Sequence, residues 1–237
     1  MIDAELHEPQ CDLAQILGRA HALRTLAQAF RLAEDVGSLR AALSAWQQRS
    51  GGALADALER ARRGLEIAPE LLSEEYDRLL SGRGGVAVRE LSYADPRHLA
   101  PTELIDVAGF MAAFGLQSTA APPDHVASEC ELASWLSLKE GYAASECWTE
   151  RQEISRAAYE RLFSAHLVRW LPRFAARLRA ASVLEFYLAM ADVLELFLRA
   201  EAERLDVAVV DVDREQLPLF DDEPGCAGCP GVGSDCA

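Results

Sequence analysis

Apolar residues recur at intervals of three and four along most of this chain, and this spacing constrains the fold more than any other feature. It predicts amphipathic α-helices, because residues three and four apart lie on one face of a helix. The helix predicted at about 183–204 is apolar on nearly every side, and such a helix lies at the centre of a bundle. Four of its charged residues fall on one narrow stripe: Glu185, Asp192, Glu195 and Arg199. The sequence therefore predicts an all-α fold, a single globular helical bundle.

Breaks in the helical spacing divide the chain into four parts. We expect an N-terminal helical half at 1–116 and a C-terminal helical half at 124–205. Residues 117–123 end in two prolines and form a hinge linker between the packed halves. Residues 206–237 are acidic and contain three cysteines, and their low apolar content predicts a flexible tail.

The longest non-helical segment of the first half is predicted at 82–101. It contains too few strand-forming residues for a sheet. A loop of this length in a compact chain is often functional. The alternative, which the residues support at least as well, is a covering loop whose Tyr93 packs on the helices.

Local signals predict where the later helices begin. Asp124 can cap a helix that runs to about residue 144, because its side chain can accept a backbone N–H of the first turn. Thr149 and Gln152 have the spacing of a capping box for the next helix. That helix is predicted to be interrupted at 166–172, since Pro172 is best placed in the first turn of another short helix.

The charge balance favours some partners over others. The chain has 38 acidic and 23 basic residues, a net charge of -15, which argues against nucleic acid or an anionic membrane surface as the main partner. A basic peptide suits this charge, although the acidity can equally serve solubility alone. The N-terminus lacks the features of a secretory signal, and charged residues interrupt the longest apolar run, at 182–198. We therefore predict a cytoplasmic protein without stable membrane insertion.

A polar pair, Asp124 and His125, follows Pro122 and Pro123 between the two halves, with Glu129 one helical turn later. Such a pair at the N-terminus of a helix indicates either a hinge or a binding site. A hydrolase using Asp124 and His125 would need a closed pocket with a third polar group, and the sequence indicates none. Nucleophile-elbow, zinc-protease and dinucleotide motifs are also absent from the sequence. The sequence therefore predicts no catalytic residue and no cofactor.

The C-terminal cysteines provide a rival hypothesis. Cys226 and Cys229 form a C-x-x-C pair, and Cys236 follows. Thiolates are soft ligands that suit zinc or an iron–sulfur cluster, although no fourth ligand lies nearby in the sequence. A tail of free or redox-labile thiols is the favoured interpretation. The alternative function is a metal or iron–sulfur carrier or assembly protein that acts through these three cysteines.

Three blocks of sequence share a family resemblance: residues 91–93 with 106–116, residues 122–129 with Leu132, and residues 166–172 with Phe186 and Tyr187. In this order they resemble the TorD/NarJ/DmsD-type chaperones dedicated to molybdenum enzymes. The blocks cover roughly 86–205, and 122–129 is the most specific. The tail and the Tyr93 region look most like the branch that serves selenate, chlorate, dimethylsulfide and ethylbenzene enzymes.

Two departures from the family's pattern bear on peptide choice. The family often has an acidic residue just before its Pro-x-Asp-His motif, where this chain has Ala121 and Pro122. It often has tyrosine where this chain has Met111. Either difference can change which peptide is bound.

The resemblance implies an all-helical, non-enzymatic chaperone. Such proteins bind the apo catalytic subunit of a molybdenum enzyme, often its twin-arginine leader, and delay export until the cofactor is inserted. A receptor for a basic and then apolar leader needs carboxylates beside an apolar groove. Leu132 and Trp135 are close in sequence to these carboxylates and can contribute to the apolar groove. The residues predicted to bind the peptide are Asp124, His125, Glu129, Pro123, Phe114 and Tyr93. The equally weighted alternative is that Asp124 is only a helix cap and His125 a packed core residue.

Overall fold

The computed structural model describes residues 8–31, 35–81, 85–94, 102–118 and 121–209, with the backbone alone for 8–12 and 102–105. Within these residues the regular structure is helical, which confirms the predicted all-α class. The α-helices are, in chain order, α1 (Glu8–Ala29), α2 (Val36–Gln47), α3 (Gly52–Gly64), α4 (Pro69–Leu80), α5 (Thr102–Ala113), α6 (Val126–Ser145), α7 (Thr149–Leu162), α8 (Val168–Ala181) and α9 (Glu185–Leu205). None of the described helices is both long enough and apolar enough to cross a membrane.

Helix α9 forms part of the core on nearly every side, as its composition predicts. Its buried residues include Phe186, Met190 and Leu194, each at most 1% exposed. The predicted charged stripe faces two arginines from other helices. Arg179 of α8 binds Asp192 and Glu195 at 2.6 and 2.7 Å, and Arg60 of α3 binds Glu185 at 3.3 Å. The stripe therefore joins α9 to α3 and α8 while its apolar sides fill the core.

Helices α3 and α9 approach each other closely at Gly64. A Cβ atom added at Gly64 would lie 2.6 Å from the backbone nitrogen of Phe186 and 2.7 Å from its Cα atom. Both atoms belong to the backbone of α9, so a rotamer change cannot relieve the clash. Glycine at this position allows the two helices to pack at this distance.

Helices α1 and α6 form the most extensive contact between the two predicted halves. The Ser134 hydroxyl of α6 donates to the Ala20 carbonyl of α1 at 2.8 Å, and Arg19 Nε donates to Ser137 at 3.0 Å. Arg19 also forms a buried ion pair with Glu140 of α6. The first helix of the chain therefore packs on the helix that follows the linker. The division into halves at 117–123 stays a prediction.

Two predicted helix boundaries are wrong. Helix α7 begins at Thr149 with Trp148 as the residue before it, and no side chain caps it, so Thr149 and Gln152 form no capping box. Pro172 lies inside α8, not in its first turn. The interruption comes earlier, as a π-helical turn at Phe163–Leu167 that joins α7 to α8. Packing explains the difference, because Pro172 and its neighbours Trp170 and Leu171 are buried and tertiary burial outweighs local propensity.

Candidate functional site

The start of α6 is fixed to the segment that precedes α5 by a short antiparallel contact. The backbone N–H of Glu90 donates to the Asp124 carbonyl at 2.9 Å, and that of Val126 donates to the Val88 carbonyl at 2.9 Å. Arg89 and His125 lie opposite each other in this pairing, an isolated bridge in the described chain. The Pro-Asp-His block therefore has a fixed backbone position and a defined partner segment.

Asp124 binds an arginine and does not cap α6. Its carboxylate is fully buried and accepts hydrogen bonds from Arg89 Nε, at 3.0 Å to Oδ1 and 3.2 Å to Oδ2. The N-cap is His125, whose Nδ1 accepts the backbone N–H of Ala127 at 3.1 Å. The predicted Asp124 cap is therefore wrong. A charged partner competes successfully for the carboxylate, because charge-assisted hydrogen bonds are about twice as strong as neutral ones.

His125 is neutral at physiological pH. Burial, followed by the nearby charge of Arg31, lowers the pKa of His125 from 6.5 to about 4. A neutral imidazole leaves the lone pair of Nδ1 free to accept the Ala127 N–H. Asp124 and His125 thus serve different partners, an arginine and a helix terminus.

Glu129 lies in the first turn of α6 and has no exposed surface. The indole N–H of Trp170 donates to its Oε2 at 3.0 Å, while Oε1 has no hydrogen-bond partner among the described residues. Burial, followed by the negative charge of Glu90, raises the pKa of Glu129 well above its ordinary value. Burial and the neighbouring Glu90 carboxylate therefore both favour the protonated form of Glu129.

Glu90 also binds His166, which lies in the π-helical turn. His166 Nδ1 is 3.0 Å from Glu90 Oε2, and Nε2 is 3.4 Å from Asp106 Oδ2. Burial lowers the pKa of His166, but the hydrogen bonds and charges of Glu90 and Asp106 outweigh it, so the pKa is raised overall. Asp106 is the residue at which these contacts reach the surface, and 45% of its side chain is accessible. A buried polar network therefore runs from Glu129 through Glu90 and His166 to the surface.

Three members of the network, Glu90, His166 and Trp170, were not among the predicted site residues. His166 and Trp170 belong to the third block of the family resemblance, but the sequence assigned them no role. Glu90 lies in the loop before α5, where no helical pattern predicts its neighbours. Its burial, with only 5% exposed, is the result of the backbone pairing with Asp124.

Tyr93 packs on helix α8. Its ring centroid is 5.3 Å from that of Trp170, and its hydroxyl donates to the Ala87 carbonyl at 2.7 Å. Tyr93 therefore has the position that the covering-loop alternative predicts, above the indole that binds Glu129.

A large open groove lies between α1, α6 and α7, and we call it the α1/α6/α7 groove. Its volume is about 850 Å³. Phe114, which follows α5, lines it together with Trp135 of α6. The ammonium of Lys139 lies 5.5 Å from the Phe114 ring centroid and 5.7 Å from that of Trp135. The groove is thus apolar and has a cation at its edge.

A smaller cavity of about 240 Å³ adjoins the groove at the linker. It shares Trp135 with the groove and includes Ala121 of the linker. Arg31 and Glu131 form an exposed two-bond ion pair at its rim, with both N–O distances at 2.9 Å. Glu131 is therefore an accessible carboxylate near the linker, unlike Asp124 and Glu129.

The structure separates the six predicted peptide-binding residues into two groups. Asp124, His125, Glu129 and Tyr93 are buried and hold the linker and the loop before α5 together. Pro123 and Phe114 are partly exposed.

The cysteines proposed as metal ligands, Cys226, Cys229 and Cys236, lie outside the described residues. Within the described part of the chain, no three His, Cys, Asp or Glu side chains are grouped as a metal site requires. Two cysteines are described as free thiols, Cys130 buried and Cys147 exposed.

Residues 31–176 match a known family, described as the nitrate reductase delta subunit. The match begins just after α1, ends within α8 and includes every residue of the buried network. The chain belongs to the nitrate reductase delta subunit family. The resemblance to TorD/NarJ-type proteins that the three sequence blocks indicate is thereby confirmed, and membership of this family agrees with a non-enzymatic protein.

A relative of this nitrate reductase delta subunit family member is named perchlorate reductase assembly chaperone protein and comes from Dechloromonas aromatica (strain RCB). The two sequences are 30% identical over 112 residues, which are 44% of this chain and 47% of the relative. The chain thus spans about half the length of the curated relative that it matches.

Proposed function

We infer that this protein is a dedicated assembly chaperone for the catalytic subunit of a molybdenum enzyme. It binds the apo subunit in the cytoplasm and holds it while the cofactor is inserted, before export. The client's twin-arginine leader forms part of the bound surface. The client belongs to the group of enzymes related to selenate, chlorate and perchlorate reductases.

The main support for this proposal is family membership over 31–176, because the matched segment contains the linker and the complete buried network. The named relative, an assembly chaperone of perchlorate reductase, supports the same role and the same enzyme group. The net charge of -15 adds a physical reason, since it attracts a basic leader over long range.

The predicted site residues enter this proposal in two roles. Phe114 and Pro123 are partly exposed, and they contact the apolar part of the leader. Asp124, His125 and Glu129 are buried, so they position the linker from below and do not touch the leader. Glu131 is the accessible carboxylate at the linker, and it can exchange its arginine partner Arg31 for an arginine of the leader.

The function is tested by isolating the tagged protein from its native cytoplasm and identifying the protein that co-purifies. We expect a molybdoenzyme catalytic subunit that retains its leader and lacks molybdenum. Metal analysis of the complex distinguishes the apo subunit from the finished enzyme. Co-purification of the molybdenum-loaded, processed subunit alone would contradict a role before export.

The site is tested separately by titrating the purified protein with the client's leader peptide. Phe114→Ala is expected to weaken binding about tenfold, as for an aromatic contact at an interface. Leu71→Ala is the matched control, because Leu71 is an apolar residue of α4, 51% exposed, that does not line the groove or the linker cavity. Equal affinities of the two variants would remove Phe114 from the site and leave the function itself untouched.

A further inference from the structure

The α1/α6/α7 groove exposes an unusual share of the protein's apolar side chains. Eight large apolar residues are exposed in the described part of the chain, and six of them line this groove. The six are Leu17, Trp135, Leu138, Tyr142, Trp148 and Ile154. Clustered exposure of this kind marks a surface that another segment covers.

The charge of the groove restricts what covers it. The charged residues that line it, among those described, are Lys139 and Arg151. Lys139 lies over Phe114 and Trp135, and Arg151 lies 4.4 Å from the centroid of the Trp148 ring. Neither cation has a carboxylate partner in the described structure. The groove therefore fits an apolar segment with acidic flanks better than one with basic flanks.

Such a segment exists in this chain, at 211–223. Its centre, Leu-Pro-Leu-Phe at 217–220, we call the LPLF segment. Acidic residues flank it on both sides: Asp211, Asp213, Glu215, Asp221, Asp222 and Glu223. One arginine is present among them, so the segment is strongly negative overall.

The described chain ends close enough for the LPLF segment to reach the groove. Glu201, near the end of α9, accepts a hydrogen bond from Tyr159 of α7 at 2.8 Å and lies 3.9 Å from Arg19 of α1. The end of α9 thus touches two of the three helices that form the groove. Leu217 lies eight positions beyond Val209, and a chain of this length can span about 27 Å, more than the ~10–12 Å diameter of a helix.

We propose that the LPLF segment docks in the α1/α6/α7 groove of the same chain. Its leucine and phenylalanine side chains cover the apolar surface around Trp135, Tyr142 and Ile154, and its flanking carboxylates pair with Lys139 and Arg151. The inference does not depend on the identity of a client, because both partners belong to this protein. A second copy of the chain is the competing occupant.

Lys139 makes the test specific, because it is the only lysine in the chain. Treating the full-length protein with a water-soluble carbodiimide joins a carboxylate to an amine that lies beside it. After digestion at arginine, we expect the peptide 98–151 joined to 215–237 through Lys139. An equal mixture of ¹⁵N-labelled and unlabelled protein is used, so that linkage within one chain gives only uniformly labelled pairs.

Matched variants test whether the apolar contact positions the tail. Phe220→Ser and Ile154→Ser are each expected to reduce the yield of this cross-linked peptide at least about fivefold, since each removes a large apolar group from the contact. The controls are Val232→Ser, elsewhere in the tail, and Leu71→Ser. The Leu71 side chain is 51% exposed, close to the 55% of Ile154. We expect both controls to leave the yield unchanged.

Three results would overturn the proposal. If Lys139 is joined to no residue of 211–223, the segment does not lie beside the groove. If the linked pairs contain one labelled and one unlabelled peptide, a second copy occupies the groove. If the yield is the same in all four variants, charge alone brings the tail to Lys139.

Discussion

Glu129 is a carboxyl group without access to water, and its protonation connects stability to pH. Because its pKa is raised by burial, the folded protein keeps a proton that the unfolded chain releases above about pH 4.5. Its contribution to stability therefore falls as pH rises above that value. His166, whose pKa is also raised, stabilises the fold below about pH 6.5 and loses this effect as pH rises. His125 acts in the opposite sense between about pH 4 and 6.5.

Glu129→Gln is expected to remove one of these contributions. Glutamine keeps an oxygen for the Trp170 N–H and a donor toward Glu90, but it does not titrate. The variant should gain stability relative to the natural protein as pH rises above 4.5, by about 1.4 kcal/mol per pH unit until the folded pKa is reached. Urea unfolding between pH 4.5 and 8 measures the difference.

Glu131→Gln is the control, because Glu131 is an exposed carboxylate of the same helix. Its effect is expected to stay within about 1 kcal/mol, as for surface ion pairs. A difference in stability between Glu129→Gln and the natural protein that stays constant with pH would contradict a raised pKa of Glu129.

The same residues show how far the sequence predicts the site. The sequence singled out Asp124, His125 and Glu129, and the structure places all three around one backbone contact. It did not predict that His125 rather than Asp124 caps α6, because that depends on Arg89, which is 35 residues from Asp124 in the sequence. The partners Glu90 and Trp170 were missed for the same reason, since tertiary contacts of this range have no local signal.

At the scale of helices, the start or end of a helix is predictable where the local preference of a proline or glycine meets no opposing tertiary contact. Proline favours the first turn of a helix, where its missing N–H is not needed, and Pro69 is the first residue of α4. Gly115 follows α5 with a φ of 73°, a conformation that favours glycine, and the N–H of Leu116 returns to the Met111 carbonyl at 2.8 Å. Pro172 was misplaced because core packing overrides its preference for a first turn.

The crossing of α3 and α9 gives a prediction at this scale. Gly64→Ala is expected to lower the free energy of unfolding by about 1–3 kcal/mol, since the added methyl group meets the backbone of Phe186. Gly18→Ala, in α1, is expected to raise the free energy of unfolding. No atom lies within 4 Å of its added Cβ, so alanine should stabilise the helix by about 0.5–1 kcal/mol. Urea unfolding of both variants measures whether the free energy of unfolding falls or rises. An unchanged free energy in Gly64→Ala would show that the two helices can move apart at no cost.

For the whole molecule, a buried ionic cluster ties α1 to three later helices. Arg19 binds Glu140 of α6, lies 3.9 Å from Glu201 of α9, and stacks 4.3 Å from the Tyr159 ring centroid in α7. Arg156 of α7 also binds Glu140, at 2.9 Å. The N-terminal helix is thus held by charge as well as by apolar packing on α6.

Arg19→Met is expected to cost about 3 kcal/mol of unfolding free energy, because it leaves buried carboxylates with fewer cations. Its matched control is Arg31→Met in the exposed pair with Glu131, where the side chains are 40% and 45% accessible and the expected cost is below about 1 kcal/mol. Denaturant titrations of both variants give the comparison. A similar loss of unfolding free energy in the two variants would mean that the buried Arg19 cluster stabilises the fold no more than an exposed ion pair does.

The π-helical turn at Phe163–Leu167 has a consequence for comparing this chain with its relatives. One additional residue in a turn rotates every later side chain by about 100° around the helix axis. The turn therefore behaves like a single-residue insertion that aims Trp170 at Glu129 and Tyr93. A relative without that residue would have an alignment gap here, and its indole would point away from the network although every residue type was unchanged.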